Sequence, residues 1–366
     1  MVFVFHYGGG LQSPHWALHV LGYVTQAGWT GVVLFFALSG FLITGSLWDS
    51  LGSRHLLRNF YARRALRILP LYYLALALAV LVALARGFMF ADLRPFAIYA
   101  LFLQDIPNFG PQIYWLTSPL PLYHLWSLAV EEQFYLLWPA LLLLARTRRI
   151  ALWLSLGIFA LSLAFRIVIW GWPFHGFVEL GSAQAHVFDG FLLTHAGALA
   201  LGAALALALR SSKPERVNRY APPALIAGLL VYLGTSWFSG TFLLSPRSQY
   251  IVGLAAVGVG ATALVQLALR PGFAGGLFTL APLRWLGRIS YGFYVFHILL
   301  QPLFDKIASH IAPPAAGYTL FLTARFFTAF LITLLVAWLS YFFLEEPMLE
   351  LKRRFPMHSA LPSINA

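Results

Sequence analysis

The chain has 366 residues, 60% hydrophobic and 10% charged, which leaves too few polar side chains to coat a water-facing globule of this size. It contains no cysteine, so disulfides, thiolate catalysis and Cys-ligated zinc or iron–sulfur centres are excluded within it. Lys and Arg number 24 against 12 Asp and Glu, a formal charge of +12. The basic residues collect between apolar runs, as in cytoplasmic loops, so the excess reports membrane topology and not a nucleic-acid partner.

The chain opens with an apolar fragment, "MVFVFHY", too short to cross a bilayer. Runs long enough to span follow at about 28–48, 70–86, 124–145, 150–170, 188–210, 221–238, 249–269, 289–310 and 319–344. The expected fold class is all-α, a polytopic transmembrane helical bundle embedded among membrane lipids. The run "PFAIYALFL" at 95–103 is read as a half-helix or interfacial segment. Leaving it out places the basic segments 54–67, 146–149, 210–219, 270–288 and 352–354 on one side, which is then cytoplasmic. The other side receives 8–27, 87–123, 171–187, 239–248 and 311–318. No loop has room for a soluble domain, so 1–354 is expected to be one membrane domain and 355–366 a short cytoplasmic tail. Both termini are expected in the cytoplasm. The 28–48 run would have to enter from outside, so either the sequence begins within a longer first helix or the first helix is a stub.

Residues 124–139, "HLWSLAVEEQFYLLWP", place Glu131 and Glu132 inside an apolar helix, near its outer end in this topology. A carboxylate in hydrocarbon is costly without a partner, so the pair marks a cavity or a proton-handling site. The alternative is an interfacial pair beside an aromatic belt of Trp126, Tyr135 and Trp138. Consecutive residues point about 100° apart on a helix, so at most one of the two faces a reaction centre. His6 ends the first fragment, and an imidazole there can accept a hydroxyl proton, more readily with a carboxylate to hold its tautomer. His297 lies in another span. Arg63, Arg64 and Arg67 lie where the cytoplasm meets the 70–86 run. Arg63 and Arg67, four apart, share a helical face and could grip phosphate, although positive-inside anchoring accounts for the charge equally well. In "GVVLFFALSGFLITGSLW", Gly31, Ser39, Gly40 and Gly45 read as close helix packing.

Taken in order, "GVVLFFALSGFLITG", "FYARRALRILPLYY", "HLWSLAVEEQFYLLWP", "LGRISYGFYVFH" and "LEEPMLELKRRF" resemble the acyltransferase 3 family of bacterial membrane O-acyltransferases. The resemblance runs from about residue 1 to 354. It implies a membrane domain of about ten helices, in the cell's inner (plasma) membrane. Such a domain moves an acyl group, commonly acetyl, from cytoplasmic acyl-CoA to a hydroxyl of an extracytoplasmic or lipid-linked saccharide. It further implies that His6 is the key catalytic group, that Arg63, Arg64 and Arg67 meet the acyl donor, and that Glu131 and Glu132 are the family's glutamates, orienting the imidazole or stabilising its cation. His124, Trp126, Ser127, Tyr291 and His297 are expected around the cavity. Acyl-CoA is a co-substrate; no permanently bound cofactor, metal or nucleic acid is expected. Members of the family also carry an arginine about ten residues before the histidine, a position that here would precede Met1. Two other readings remain open from the residues: a proton-coupled transporter or flippase, and a non-catalytic membrane scaffold of the same fold.

Overall fold

The computed structural model describes residues 1–8, 22–89, 93–106, 119–171, 190–244, 246–313 and 317–357. Most of the loops at 8–27 and 171–187, residues 90–92 and 107–118 of the 87–123 loop, and residues 358–366 of the expected tail lie outside the described residues. Within them the chain is helical, with no strand. In hydrocarbon a helix satisfies every backbone group inside its own segment, which is why apolar runs of this length fold this way. Eight helices among the described residues are long and apolar enough to cross a membrane.

A short helix α1, Val2–Gly8, is followed by α2, Thr30–Asp49, and α3, Leu56–Ala85. After the seven-residue α4, Arg94–Ala100, come α5, Trp126–Leu144, and α6, Arg148–Gly171. Then follow α7, Leu192–Leu209, α8, Ala221–Ser239, and α9, Leu254–Ala268. The last group is α10, Ala281–Leu299, α11, Gln301–Ile311, and α12, Tyr318–Ser340.

Helix α7 is central: 72% of its span is buried, against 22% for the spans containing α6, α8 and α12, which face outward. It packs most closely on α2. The two backbones touch at reciprocal glycines, since a Cβ on Gly40 would stand 1.9 Å from the Leu199 carbonyl oxygen and one on Gly202 1.9 Å from that of Ala37. Lipid tails are as apolar as leucine, so this approach is stabilised by van der Waals contact and not by expulsion of water. Trp138, Tyr72, Phe36 and Phe60 fill the core formed by α2, α3 and α5.

Two boundaries correct the sequence reading. The 54–67 segment is not a loop, because α3 is already helical from Leu56 and carries the arginines on its first turns, with Pro70 inside it. Leu, Arg and Ala are good helix formers, and their propensity outweighs the polar composition that suggested a connection. The 289–310 run is not one span. The helix breaks at Leu300, before Gln301–Pro302, where proline restricts the residue ahead of it and opens a new helix with Pro302 in the first turn.

Candidate active site

Glu131, 3% exposed on the inner face of α5, is held by two hydroxyls. Ser39 of α2 and Tyr135, one turn further along α5, both donate to its Oε1, and the two hydroxyls lie 2.7 Å apart. Arg64 sits over the Tyr135 ring at 5.4 Å and the Phe60 ring at 5.9 Å. It stands within electrostatic reach of both Glu131 and Glu132, and Arg67 within reach of Glu131 and Glu345. Neither arginine closes an ion pair among the described residues, whose ion pairs are Arg210–Asp49 and Arg325–Asp305. Glu132 turns elsewhere, and its buried Oε1 has no hydrogen-bond partner among the described residues. The spacing rule that allowed one inward glutamate therefore selects Glu131.

These groups line a cavity of about 350 Å³ bounded by Ser39, Arg64, Arg67, Glu131, Tyr291 and Tyr294, with Ser127 and Val2 further along. A second cavity of about 330 Å³ shares Arg67, Gly287, Ser290 and Tyr291 with it and adds Arg284, Arg288 and Glu345. The two cavities therefore adjoin at Arg67 and Tyr291, the second bringing Arg284 and Arg288 and the first the hydroxyls of Ser39, Ser127 and Tyr294. The hydroxyl wall is braced: Tyr291 donates to the Ile68 carbonyl at 2.7 Å, Tyr294 to the His124 carbonyl at 2.6 Å, and Ser127 lies 2.5 Å from the Tyr294 hydroxyl.

Arg63, paired with Arg67 on sequence spacing, belongs elsewhere. Its guanidinium donates to the Lys352 and Phe355 carbonyls, both at 3.1 Å, so it fastens the C-terminal segment to α3 while Arg64 and Arg67, one turn apart, face the cavity. Of the other residues expected there, Ser127 and Tyr291 line it. Trp126 instead packs on His195 and Phe36, and His124 and His297 lie buried behind the wall.

The expected pairing of His6 with a glutamate is not what the fold builds. His6 Nδ1 lies 3.1 Å from His297 Nε2, while Glu131 is occupied by Ser39 and Tyr135. His124 stands behind, its ring 5.2 Å from that of His297. The nitrogens of this trio do not converge on one point. His297 Nδ1 faces the Tyr294 carbonyl at 2.6 Å and His124 Nε2 the Val295 carbonyl at 3.0 Å, and no group suited to a metal ion occurs among the described residues. Helix α1 is held against α10 by the Tyr7 hydroxyl, which donates to the His297 carbonyl at 2.5 Å.

The sequence reading did not single out Ser39 as a polar partner, nor Tyr294, Arg284 or Arg288. Helical spacing carried a signal for two partners: Tyr135 is four residues after Glu131, and Tyr294 is three residues after Tyr291 and three before His297. For Ser39, on another helix, no local signal exists.

Fold and site together define an integral-membrane helical domain with a cavity among its helices, in which Arg64, Arg67 and Glu131 stand beside apolar side chains such as Phe35, Leu38 and Leu42. The chain belongs to the acyltransferase 3 family, whose acyltransferase-domain model matches residues 1–342. Among curated relatives, YrhL of Bacillus subtilis is 29% identical over 349 residues, 88% of this chain and 51% of that protein. The peptidoglycan O-acetyltransferase OatA of Listeria monocytogenes is 28% identical over 88% of this chain and 51% of its own length. The O-acetyltransferase OatA of Staphylococcus aureus is 26% identical over 92% and 55%. The chain thus spans about half the length of the curated relatives it matches. No solved structure matches it.

Proposed function

We propose that this domain transfers an acyl group, acetyl by analogy with its relatives' names, from acyl-CoA to a hydroxyl of a cell-envelope saccharide. The observation that carries the reading is a cavity lined by Arg64 and Arg67 together with Ser127, Tyr294 and Val2, one turn from His6, adjoining at Arg67 a second cavity that adds Arg284 and Arg288. Guanidinium groups suit the phosphates of coenzyme A, because their planar fork matches phosphate oxygens. The cavity of about 350 Å³, with its apolar side chains, suits the pantetheine arm, the thioester reaching the Ser127 and Tyr294 hydroxyls. The positive-inside pattern supports a cytoplasmic side for these arginines, where acyl-CoA is, with the acceptor on the other side.

In this reading His6 is the reacting group. As a general base it takes the acceptor O–H proton while that oxygen bonds to the acyl carbon; the C–S bond breaks, and the thiolate takes the proton back from His6. As a carrier, His6 itself bonds to the acyl carbon as the C–S bond breaks and the thiolate leaves; in a second step the acceptor oxygen takes the acyl carbon from the ring, its proton passes to His6, and the thiolate takes that proton. Glu131 keeps Arg64 and Arg67 turned into the cavity by charge. A transporter would need none of this donor machinery.

The test is the purified domain in liposomes with radiolabelled acetyl-CoA and a peptidoglycan-derived oligosaccharide. His6→Ala abolishes label transfer while melting and detergent behaviour stay normal. Transfer by His6→Ala at the unaltered rate sinks this reading.

A further inference from the structure

We propose that His297 is the positioning residue of this reaction, holding His6 in the tautomer whose Nε2 bears the free electron pair. The proposal rests on His6 being the reacting group. The chain of donors starts at the Tyr294 backbone carbonyl, which can only accept. It lies 2.6 Å from His297 Nδ1, so His297 carries its proton there. A neutral His297 then presents a bare Nε2. That atom is 3.1 Å from His6 Nδ1, and two ring nitrogens at hydrogen-bond distance require one donor, so the His6 proton sits on Nδ1. What is left on His6 is Nε2, with its lone pair free to take a hydroxyl proton or to bond an acyl carbon.

The surroundings hold this arrangement in place. His297 is 1% exposed, and His124 behind it 2%, whereas His6 keeps partial access. The His124 ring is fixed by its Nε2, which donates to the Val295 carbonyl at 3.0 Å, and its buried Nδ1 has no hydrogen-bond partner among the described residues. Phe3 and Tyr294 flank His297, with ring centroids 6.4 Å and 5.4 Å away. Tyr7 ties the backbone of His297 to the helix that carries His6. The role is that of the aspartate in a serine protease triad, which sets a histidine tautomer and steadies its cation. Here a neutral ring takes that place, so no carboxylate has to be buried beside His6. When Nε2 gains the acceptor proton, the Nδ1–H bond to His297 becomes charge-assisted and tightens.

The tautomer is read directly by ¹⁵N NMR of the histidine-labelled domain in detergent or nanodiscs, with the His6 signals assigned from His6→Ala. Wild-type His6 shows the Nδ1-protonated form, and His297→Leu shifts it toward the Nε2-protonated form. In transfer assays His297→Leu lowers kcat by about 10²-fold or more with KM for acetyl-CoA unchanged. His297→Gln, which returns an acceptor oxygen near the Nε2 position, recovers most of the loss. An Nε2-protonated His6 in the wild type overturns the proposal without recourse to any variant. So does a His297→Leu protein that transfers at the wild-type rate, or a His297→Gln protein as inactive as His297→Leu with the His6 tautomer unmoved. Failure of the underlying reading looks different: His6→Ala stays active, whatever tautomer NMR reports.

Discussion

Two hydroxyls and two guanidinium groups surround Glu131, and each set makes a separate prediction. Ser39→Ala removes one of the donors to a carboxylate that is 3% exposed, and leaving such a group short of a partner costs about 1–3 kcal/mol. Melting in detergent should fall accordingly, and Tyr135→Phe should act in the same direction. Because both hydroxyls serve one oxygen, the double mutant should depart from additivity. The arginines divide differently. Arg67→Ala should raise KM for acyl-CoA, since that guanidinium lines both cavities. Arg63→Ala should leave KM unchanged and loosen the C-terminal segment held through the Lys352 and Phe355 carbonyls, as read by proteolysis of that segment. The sequence flagged Glu131 and Glu132 alike, because an acid inside an apolar helix needs a reason, and only packing shows that Glu131 is the one lining the cavity. It did not reveal the partner of His6, because a histidine does not announce which distant ring it meets.

At the scale of the helix, α2 and α7 approach through Gly40 and Gly202 with no room for a methyl group against the facing carbonyls. Gly40→Ala or Gly202→Ala should destabilise by about 1–3 kcal/mol, the usual range for overpacking, and lower the melting temperature in detergent. The small residues of α2 were readable as packing, but their partner was not, because the Ala-rich α7 offers several equivalent faces. Asp105, in the connection after α4, supplies a pH test. It is 3% exposed, and burial pushes its carboxyl up to about 7, with the Gln133 amide at 2.6 Å pulling back. A raised carboxyl value means the folded state binds the proton more tightly, so the stability it contributes is present below about pH 4 and lost as pH rises through about 7. A melting profile of Asp105→Asn should be flatter than wild type across that interval.

For the whole molecule, the alternation of basic segments predicts that the 210–219 connection faces the cytoplasm, and a reporter fused there that is active outside would overturn the topology. Composition alone determined that this is a membrane bundle, and apolar run length placed most of its helices, because hydrocarbon admits few backbone solutions. Motif order determined the family, since the five segments carry a signal in sequence that no single one carries. Tertiary structure decided the rest. It turned Arg63 to the C-terminal carbonyls and Arg64 to the cavity, broke the run at Leu300, gave Glu131 to Ser39 and Tyr135, and gave His6 to His297. Those outcomes depend on which helices become neighbours, and pairings between residues as far apart in the chain as His6 and His297 are settled only when the bundle packs.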